Sequence, residues 1–117
     1  MAKLGFMLTR SLAANAGSRA FTLLSAAALA KEHQVAVVFT ADGVYQCLQR
    51  KKKRQMESED LGPRLQALTQ GGAECVASYS CLEARGIEIN EVCSGVRVVT
   101  LEEIARLMGQ VDQVVCL

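Results

Sequence analysis

The sequence predicts a three-layer α/β/α domain, with a mainly parallel five-stranded sheet packed between two layers of helices. Short apolar runs alternate with helical segments along all 117 residues. Strands that are apolar on both faces and separated by helices are typical of a parallel sheet covered on both sides. The aromatic residues are only three Phe and two Tyr, so the core must be built from smaller aliphatic side chains. We expect one domain over residues 1–117.

The pattern of apolar runs and breakers locates each element. Strands are predicted at residues 3–9, 35–40, 73–77, 96–100 and 111–117. Helices are predicted at residues 15–32, 44–49, 61–70, 81–85 and 101–109. Asp42-Gly43 indicates a turn before the second helix. Thr100 and Glu103 have the spacing of a capping box at the start of the last helix. Residues 91–94 are ambiguous.

The charge balance bears on the partners of the protein, and the cysteine content bears on its redox compartment. The formal net charge is +1, so no overall field favours a nucleic acid or an anionic membrane as a partner. The five cysteines are an odd number at low density. The apolar run at residues 4–8 is too short for the core of a secretory signal, and the run at residues 20–30 is too short to span a bilayer. We expect a cytoplasmic protein with reduced thiols.

Polar side chains follow several of the predicted strands. In an open parallel sheet, ligands bind beyond the carboxyl ends of the strands, and these ends carry Arg10, Asp42, Ser78 and Cys81. Cys81 stands where a strand is followed by a helix. Backbone N–H groups at a helix start favour negative charge, so a thiolate is stabilised there. We therefore predict Cys81 as the reactive thiol.

The other cysteines fit structural roles better. Cys47, Cys75 and Cys116 fall inside predicted elements, where cysteine is commonly a small buried hydrophobe. Cys93 lies in the ambiguous segment, and its role stays open.

A base or a cation could activate the thiol. The one histidine, His33, precedes the second strand and is predicted to be an exposed loop residue at the opposite edge of the sheet, which argues against a Cys–His hydrolase. Arg85 lies four residues after Cys81 on the same helical face, and Arg10 ends the first strand. Each arginine is equally consistent with a solvated surface charge.

Motifs for metals and nucleotides are missing from the sequence. The cysteine spacings do not include a Cys-x-x-Cys pair of the kind that zinc sites use. No Walker A loop or dinucleotide fingerprint follows the first strand. We expect no metal and no cofactor. The basic run from Arg50 to Arg54 is predicted to be a solvated face, with contact to RNA or to an acidic partner as the alternative. Because the net charge is near zero and no aromatic platform accompanies the run, nucleic acid is not an expected partner.

Taken together, the residues resemble the DsrE/DsrF-like family, whose fold is shared by small subunits of bacterial sulfur relays. The chain is most similar to the stand-alone, homo-oligomeric branch of that family. The resemblance covers nearly the whole length. It depends most on the segment Cys81-Leu-Glu-Ala-Arg-Gly-Ile87 and on Thr100-Leu-Glu-Glu-Ile104.

The resemblance implies that Cys81 carries sulfur as a persulfide and passes it on. Some relatives have two cysteines in this loop, spaced Cys-x-x-Cys, and Ser78 occupies the first of those places here. That difference argues against a local dithiol–disulfide couple, whereas one thiol is enough to hold a persulfide. The resemblance also implies a homotrimer or homohexamer, with sulfur-donor and sulfur-acceptor proteins as partners.

The leading hypothesis is a cytoplasmic sulfur carrier or sulfurtransferase-like protein that uses Cys81. One alternative is a binding module that holds a small anion or small molecule near Arg10, Asp42 and Ser78. The other is a catalytically silent assembly subunit, with residues 50–60 at an interface. A measured pKa of the Cys81 thiol would separate the first hypothesis from both alternatives.

Overall fold

A computed structural model of the chain describes residues 2–10, 17–49 and 62–117. The strands are β1 Lys3–Leu8, β2 Gln34–Phe39, β3 Glu74–Ser78, β4 Val96–Val99 and β5 Gln113–Cys116. The α-helices are α1 Gly17–Ala30, α2 Gly62–Gln70, α3 Tyr79–Ala84 and α4 Leu101–Met108. Two 3₁₀ helices span Ala41–Cys47 and Ile89–Glu91.

The five strands form one sheet in the order β4-β3-β2-β1-β5. Every neighbouring pair is parallel. The predicted fold class is therefore confirmed. Because all strands point the same way, their carboxyl ends lie along one edge of the sheet, where the candidate site is expected.

Each face of the sheet has its own core. On one face, α1, α2 and α3 bury Phe21, Leu65 and Leu82 against the strands. Phe21 meets Phe39 of β2 edge to face, with ring centroids 6.1 Å apart. On the other face, Ile104 and Leu107 of α4 pack on residues of β2, β3 and β4. Burial of these aliphatic and aromatic side chains supplies the main driving force for the fold.

The capping box of α4 is present as predicted. The hydroxyl of Thr100 accepts the N–H of Glu103 at 3.3 Å, and the Glu103 carboxylate accepts the N–H of Thr100 at 3.2 Å. Both donors lie at the helix start, where no partner within the helix exists for them.

The prediction for the second helix is wrong in its bounds and its type. Asp42-Gly43 is part of a 3₁₀ helix, Ala41–Cys47, and does not form a turn ahead of it. The reason is a tertiary contact. A Cβ atom on Gly43 would lie 1.8 Å from the backbone oxygen of Leu8, so this helix rests directly on the carboxyl end of β1.

Two predictions at the edges of the sheet are also corrected. The last strand is shorter than predicted and is an edge strand, so Val114 is 44% exposed and Cys116 is exposed. His33 is only half-exposed, and its Nδ1 accepts the N–H of Ala2 at 3.0 Å. That hydrogen bond gives His33 a structural role at the amino edge of the sheet.

The basic run from Arg50 to Arg54, and the interface predicted for residues 50–60, lie outside the described residues. Among the described helices, none has both the length and the apolar character needed to cross a membrane.

We predict that Gly43→Ala lowers the free energy of unfolding by about 1–3 kcal/mol, the usual cost of overpacking. The new methyl group must displace either the 3₁₀ helix or the end of β1. Gly109→Ala is the matched control, because its nearest atom would be the Ala105 oxygen at 3.4 Å, an ordinary contact. Urea denaturation of both variants measures the difference. Equal stabilities would show that the contact at Gly43 does not constrain the segment.

Candidate functional site

Cys81 lies in the first turn of α3, which follows β3 without a connecting loop. Ser78 is both the last residue of β3 and the N-cap of α3, and its hydroxyl accepts the N–H of Cys81 at 3.4 Å. The Ser78 hydroxyl also lies 3.2 Å from that of Ser80. A serine at this position therefore starts the helix two residues earlier than predicted and fixes the backbone of Cys81.

The sulfur of Cys81 contacts the segment that follows β2. The N–H of Ala41 donates to Sγ at 3.2 Å, and the Thr40 hydroxyl lies 3.5 Å from it. Ala41 has a φ of 51°, a left-handed conformation that costs a non-glycine residue roughly 1–2 kcal/mol. This conformation accompanies the hydrogen bond to the sulfur. We infer that the surrounding structure holds the strain in place at the site.

An arginine and a carboxylate complete the surroundings of the thiol. Arg85 donates from Nε and Nη2 to Oδ1 of Asp42, at 3.1 and 3.0 Å, and from Nη1 to the backbone oxygen of Cys81 at 3.1 Å. The side chain of Arg85 is 24% exposed, whereas that of Asp42 is 61% exposed. Arg85 is thus the more buried residue of the pair, and its guanidinium contacts both Asp42 and the backbone of α3.

These contacts decide the protonation of Cys81. Its partial burial raises the pKa, but hydrogen bonds from the Ser78 and Thr40 hydroxyls and the Ala41 amide, with the charge of Arg85, outweigh that effect. The pKa of Cys81 is therefore lowered from its ordinary value. A lower pKa means a larger thiolate fraction near neutral pH, and the thiolate is the nucleophile.

Cys47 and Cys75 differ sharply from Cys81. Burial, followed by the proximity of Cys93, raises the pKa of Cys47 to about 12. Burial, followed by the charge of Glu74, raises the pKa of Cys75 to about 12. Cys93 is buried in the same core, and none of the five cysteines, all of which are described, forms a disulfide. The predicted structural roles of Cys47 and Cys75 agree with this burial.

The structure brings three of the predicted site residues together around Cys81, and no described contact joins Arg10 to them. Ser78, Asp42 and Arg85 surround Cys81. Arg10 is exposed, and its described contact is through its backbone oxygen, which accepts from Nε2 of Gln46. Sequence reasoning missed Thr40 and Ala41. Thr40 could have been predicted, because it is a polar residue directly after β2. The left-handed conformation of Ala41 could not, because alanine does not indicate such a conformation.

The described residues hold no site for a metal ion, since no three His, Cys, Asp or Glu side chains gather in a suitable cluster. A cavity of about 190 Å³ opens beside α4, lined by charged residues that include Glu74, Arg97 and Arg106. None of the residues around Cys81 lines it, so it is separate from the thiol site.

One comparison with known proteins shows the family of this chain, and a comparison with solved structures shows its fold. The sequence matches the DsrE/DsrF-like family over residues 2–117. The structure is similar to that of the YchN protein from E. coli, with a TM-score of 0.70, 21% identity and 100% of both chains covered. It is equally similar to MTH1491 from Methanobacterium thermoautotrophicum, a protein of unknown function, with a TM-score of 0.70, 18% identity and 100% of both chains covered. No curated protein matches the sequence significantly.

We predict that Thr40→Val and Arg85→Gln each raise the pKa of Cys81, because each removes a group that stabilises the thiolate. Alkylation of Cys81 near neutral pH should slow several-fold in both variants. The thiolate absorbance, followed against pH, measures the shift. Thr40→Ser should keep the pKa of Cys81 low, because it keeps the hydroxyl. Arg97→Gln should leave that pKa unchanged, because Arg97 lies on β4 and is paired with Glu74 of β3. A pKa equal in all five proteins would refute the assignment of these contacts.

Proposed function

The chain belongs to the DsrE/DsrF-like family, and from that premise we propose that it carries sulfane sulfur as a persulfide on Cys81 and passes it to a partner thiol. The family is generally associated with sulfur relay. The single observation that supports the role of Cys81 is the contact of its sulfur with the Ala41 N–H, at 3.2 Å. A backbone donor directed at a sulfur stabilises that atom when it is negatively charged.

The proposed reaction is an exchange between sulfur atoms. The Cys81 thiolate attacks the outer sulfur of a donor persulfide, R–S–SH. A new S–S bond forms, the old one breaks, and the donor leaves as the thiolate R–S⁻ while the proton stays on the transferred sulfur. An acceptor thiolate then attacks the outer sulfur of the Cys81 persulfide and releases the Cys81 thiolate. Sulfane sulfur keeps its oxidation state throughout, so neither an oxidant nor a reductant is consumed.

The groups around Cys81 suit both halves of this exchange. Cys81 attacks in the first half and leaves in the second, and a thiol of lowered pKa leaves faster. The Ala41 amide and the Arg85 charge stabilise the sulfur of Cys81 whenever it is a thiolate. Ser78 stands where a second cysteine could have resolved the persulfide, so we propose that the acceptor thiol comes from another protein. A partner thiol of that kind stays reduced in the cytoplasm, which is the compartment that we propose for this protein.

A second feature favours self-association, which the assembly-subunit alternative also requires. Members of this family form oligomers. From Ala20 to Ala30, helix α1 contains no charged residue, yet Leu23 is 65% exposed and Leu24 49% exposed. An outward helix face normally carries charges. We propose that this face, Leu23 and Leu24 with the neighbouring alanines, packs against other copies of the chain in a homotrimer or homohexamer.

We predict that polysulfide adds one or more sulfur atoms to the reduced protein, and that a reductant removes them, as expected for a persulfide. Intact mass measures the gain. Cys81→Ser should lose the adduct, whereas Cys116→Ser, which removes the exposed thiol on β5, should keep it. An undiminished adduct in Cys81→Ser would assign the chemistry to another cysteine and defeat the proposal.

We predict that Leu23→Glu combined with Leu24→Glu lowers the molecular mass in solution toward the 12.6 kDa of one chain, because buried carboxylates in the contact are too costly. Sedimentation equilibrium measures the mass. Leu101→Glu is the control, since Leu101 is 71% exposed at the start of α4, where acidic residues are tolerated. If Leu101→Glu dissociates the protein and the α1 variant does not, the interface lies elsewhere. A monomeric wild type would remove the proposal altogether.

A further inference from the structure

Two buried cysteines face each other beneath the thiol site, in a contact that the proposed chemistry of Cys81 does not use. An isolated antiparallel bridge pairs Leu48 with Val92. Next to it, the N–H of Cys93 donates to the backbone oxygen of Cys47 at 2.8 Å. Cys47 and Cys93 are therefore directly opposed on two chain segments that are distant in sequence.

The Cα separation of such a pair falls within the range of disulfides. Directly opposed residues of an antiparallel pair have Cα atoms roughly 4.5–5.5 Å apart, and disulfides span roughly 4.4–6.8 Å between Cα atoms. Their Cβ atoms, roughly 4.5–5.5 Å apart, must approach to roughly 3.5–4.5 Å, which requires a small shift of the two segments. Opposed side chains in an antiparallel pair point to the same side. Both cysteines are buried in the same core cluster, which agrees with that expectation.

We propose that Cys47 and Cys93 form a reversible disulfide, a redox-sensitive link beneath the thiol site. The oxidant is a low-molecular-weight disulfide, R–S–S–R. The thiolate of one cysteine attacks it, forms a mixed disulfide and releases R–S⁻. The thiolate of the other cysteine then attacks the protein sulfur of that mixed disulfide and releases a second R–S⁻. Two protein thiols are oxidised, one disulfide is reduced to two thiols, and the two protons are taken up by the leaving thiolates.

Burial controls the rate of this reaction. The high pKa of Cys47 and its hydrogen bond from Sγ to the oxygen of Val44, at 3.1 Å, keep the thiol protonated. Oxidation must therefore wait for the bridge at Leu48 and Val92 to open locally. The bridge contributes two backbone hydrogen bonds, from Cys93 to Cys47 and from Gln49 to Glu91, so its opening does not require unfolding of the sheet. Cys81, which lies closer to solvent, reacts without this delay.

The link would connect the two segments that form the site. Cys47 ends the 3₁₀ helix that begins at Ala41. Cys93 follows helix α3, which contains Cys81 and is capped at its carboxyl end by Arg85. Cross-linking them restricts the separation of these segments in the unfolded chain, which stabilises the folded state. The inference does not depend on sulfur transfer by Cys81.

The test uses the double variant Cys81→Ser, Cys116→Ser, which removes the half-exposed and the exposed thiol. The protein is equilibrated in buffers of reduced and oxidised glutathione, with and without sub-denaturing urea, then quenched, unfolded and alkylated. We expect one cross-linked pair of peptides, containing Cys47 and Cys93, with Cys75 alkylated. Urea should accelerate the reaction and dithiothreitol should reverse it. The oxidised protein should also have a higher Tm than the reduced one, and adding Cys47→Ser should abolish that difference.

Two results would contradict the proposed disulfide. If Cys47 and Cys93 are still alkylated separately after equilibration in oxidised glutathione with urea, the pair does not form and the proposal is wrong. Pairing of Cys47 with Cys75 in place of Cys93 would also overturn it, because Cys75 lies within β3 and has no place in the bridge.

Discussion

The contact between the 3₁₀ helix Ala41–Cys47 and the carboxyl end of β1 is the constraint on which the site depends. Gly43 allows the helix to approach the backbone of Leu8. That approach fixes the turn in which Ala41 takes its left-handed conformation and directs its N–H at Cys81. The same helix supplies Asp42, which holds Arg85. The absent side chain at Gly43 thus gives room for the segment that carries Ala41 and Asp42.

The difference in pKa between Cys81 and the buried thiols Cys47 and Cys75 follows from where the fold places them. A parallel sheet buries the interiors of its strands on both faces, so the Cys75 thiol on β3 is costly to ionise. The edge formed by the carboxyl ends of the strands differs, because there strands end and helices begin and backbone donors lack partners. Cys81 lies at this edge, where a partly exposed sulfur gains donors from two segments. The fold therefore distinguishes Cys81 by its position.

The sequence predicts the strands of the sheet well, but it predicts only some of the residues that contact Cys81. Continuous runs such as Val35 to Phe39 predict buried strands because burial on both faces leaves that pattern. Cys81 could be predicted as well, since its place between strand and helix is local. The donors to its sulfur could not, because the left-handed turn at Ala41 follows from a tertiary contact. The last strand was predicted as if buried, since sequence does not reveal which strand lies at an edge, and Val114 is consequently exposed.

The fold makes Cys81 more available as a thiolate than the buried Cys47 and Cys75. Residue-resolved alkylation of the folded wild-type protein across a pH series tests this difference most directly. We expect Cys81 to label first, with an inflection below that of an unperturbed cysteine thiol, because its pKa is lowered. Cys47 and Cys75 should label appreciably only once the protein unfolds. Faster labelling of Cys47 or Cys75 than of Cys81 in the folded state would contradict the account.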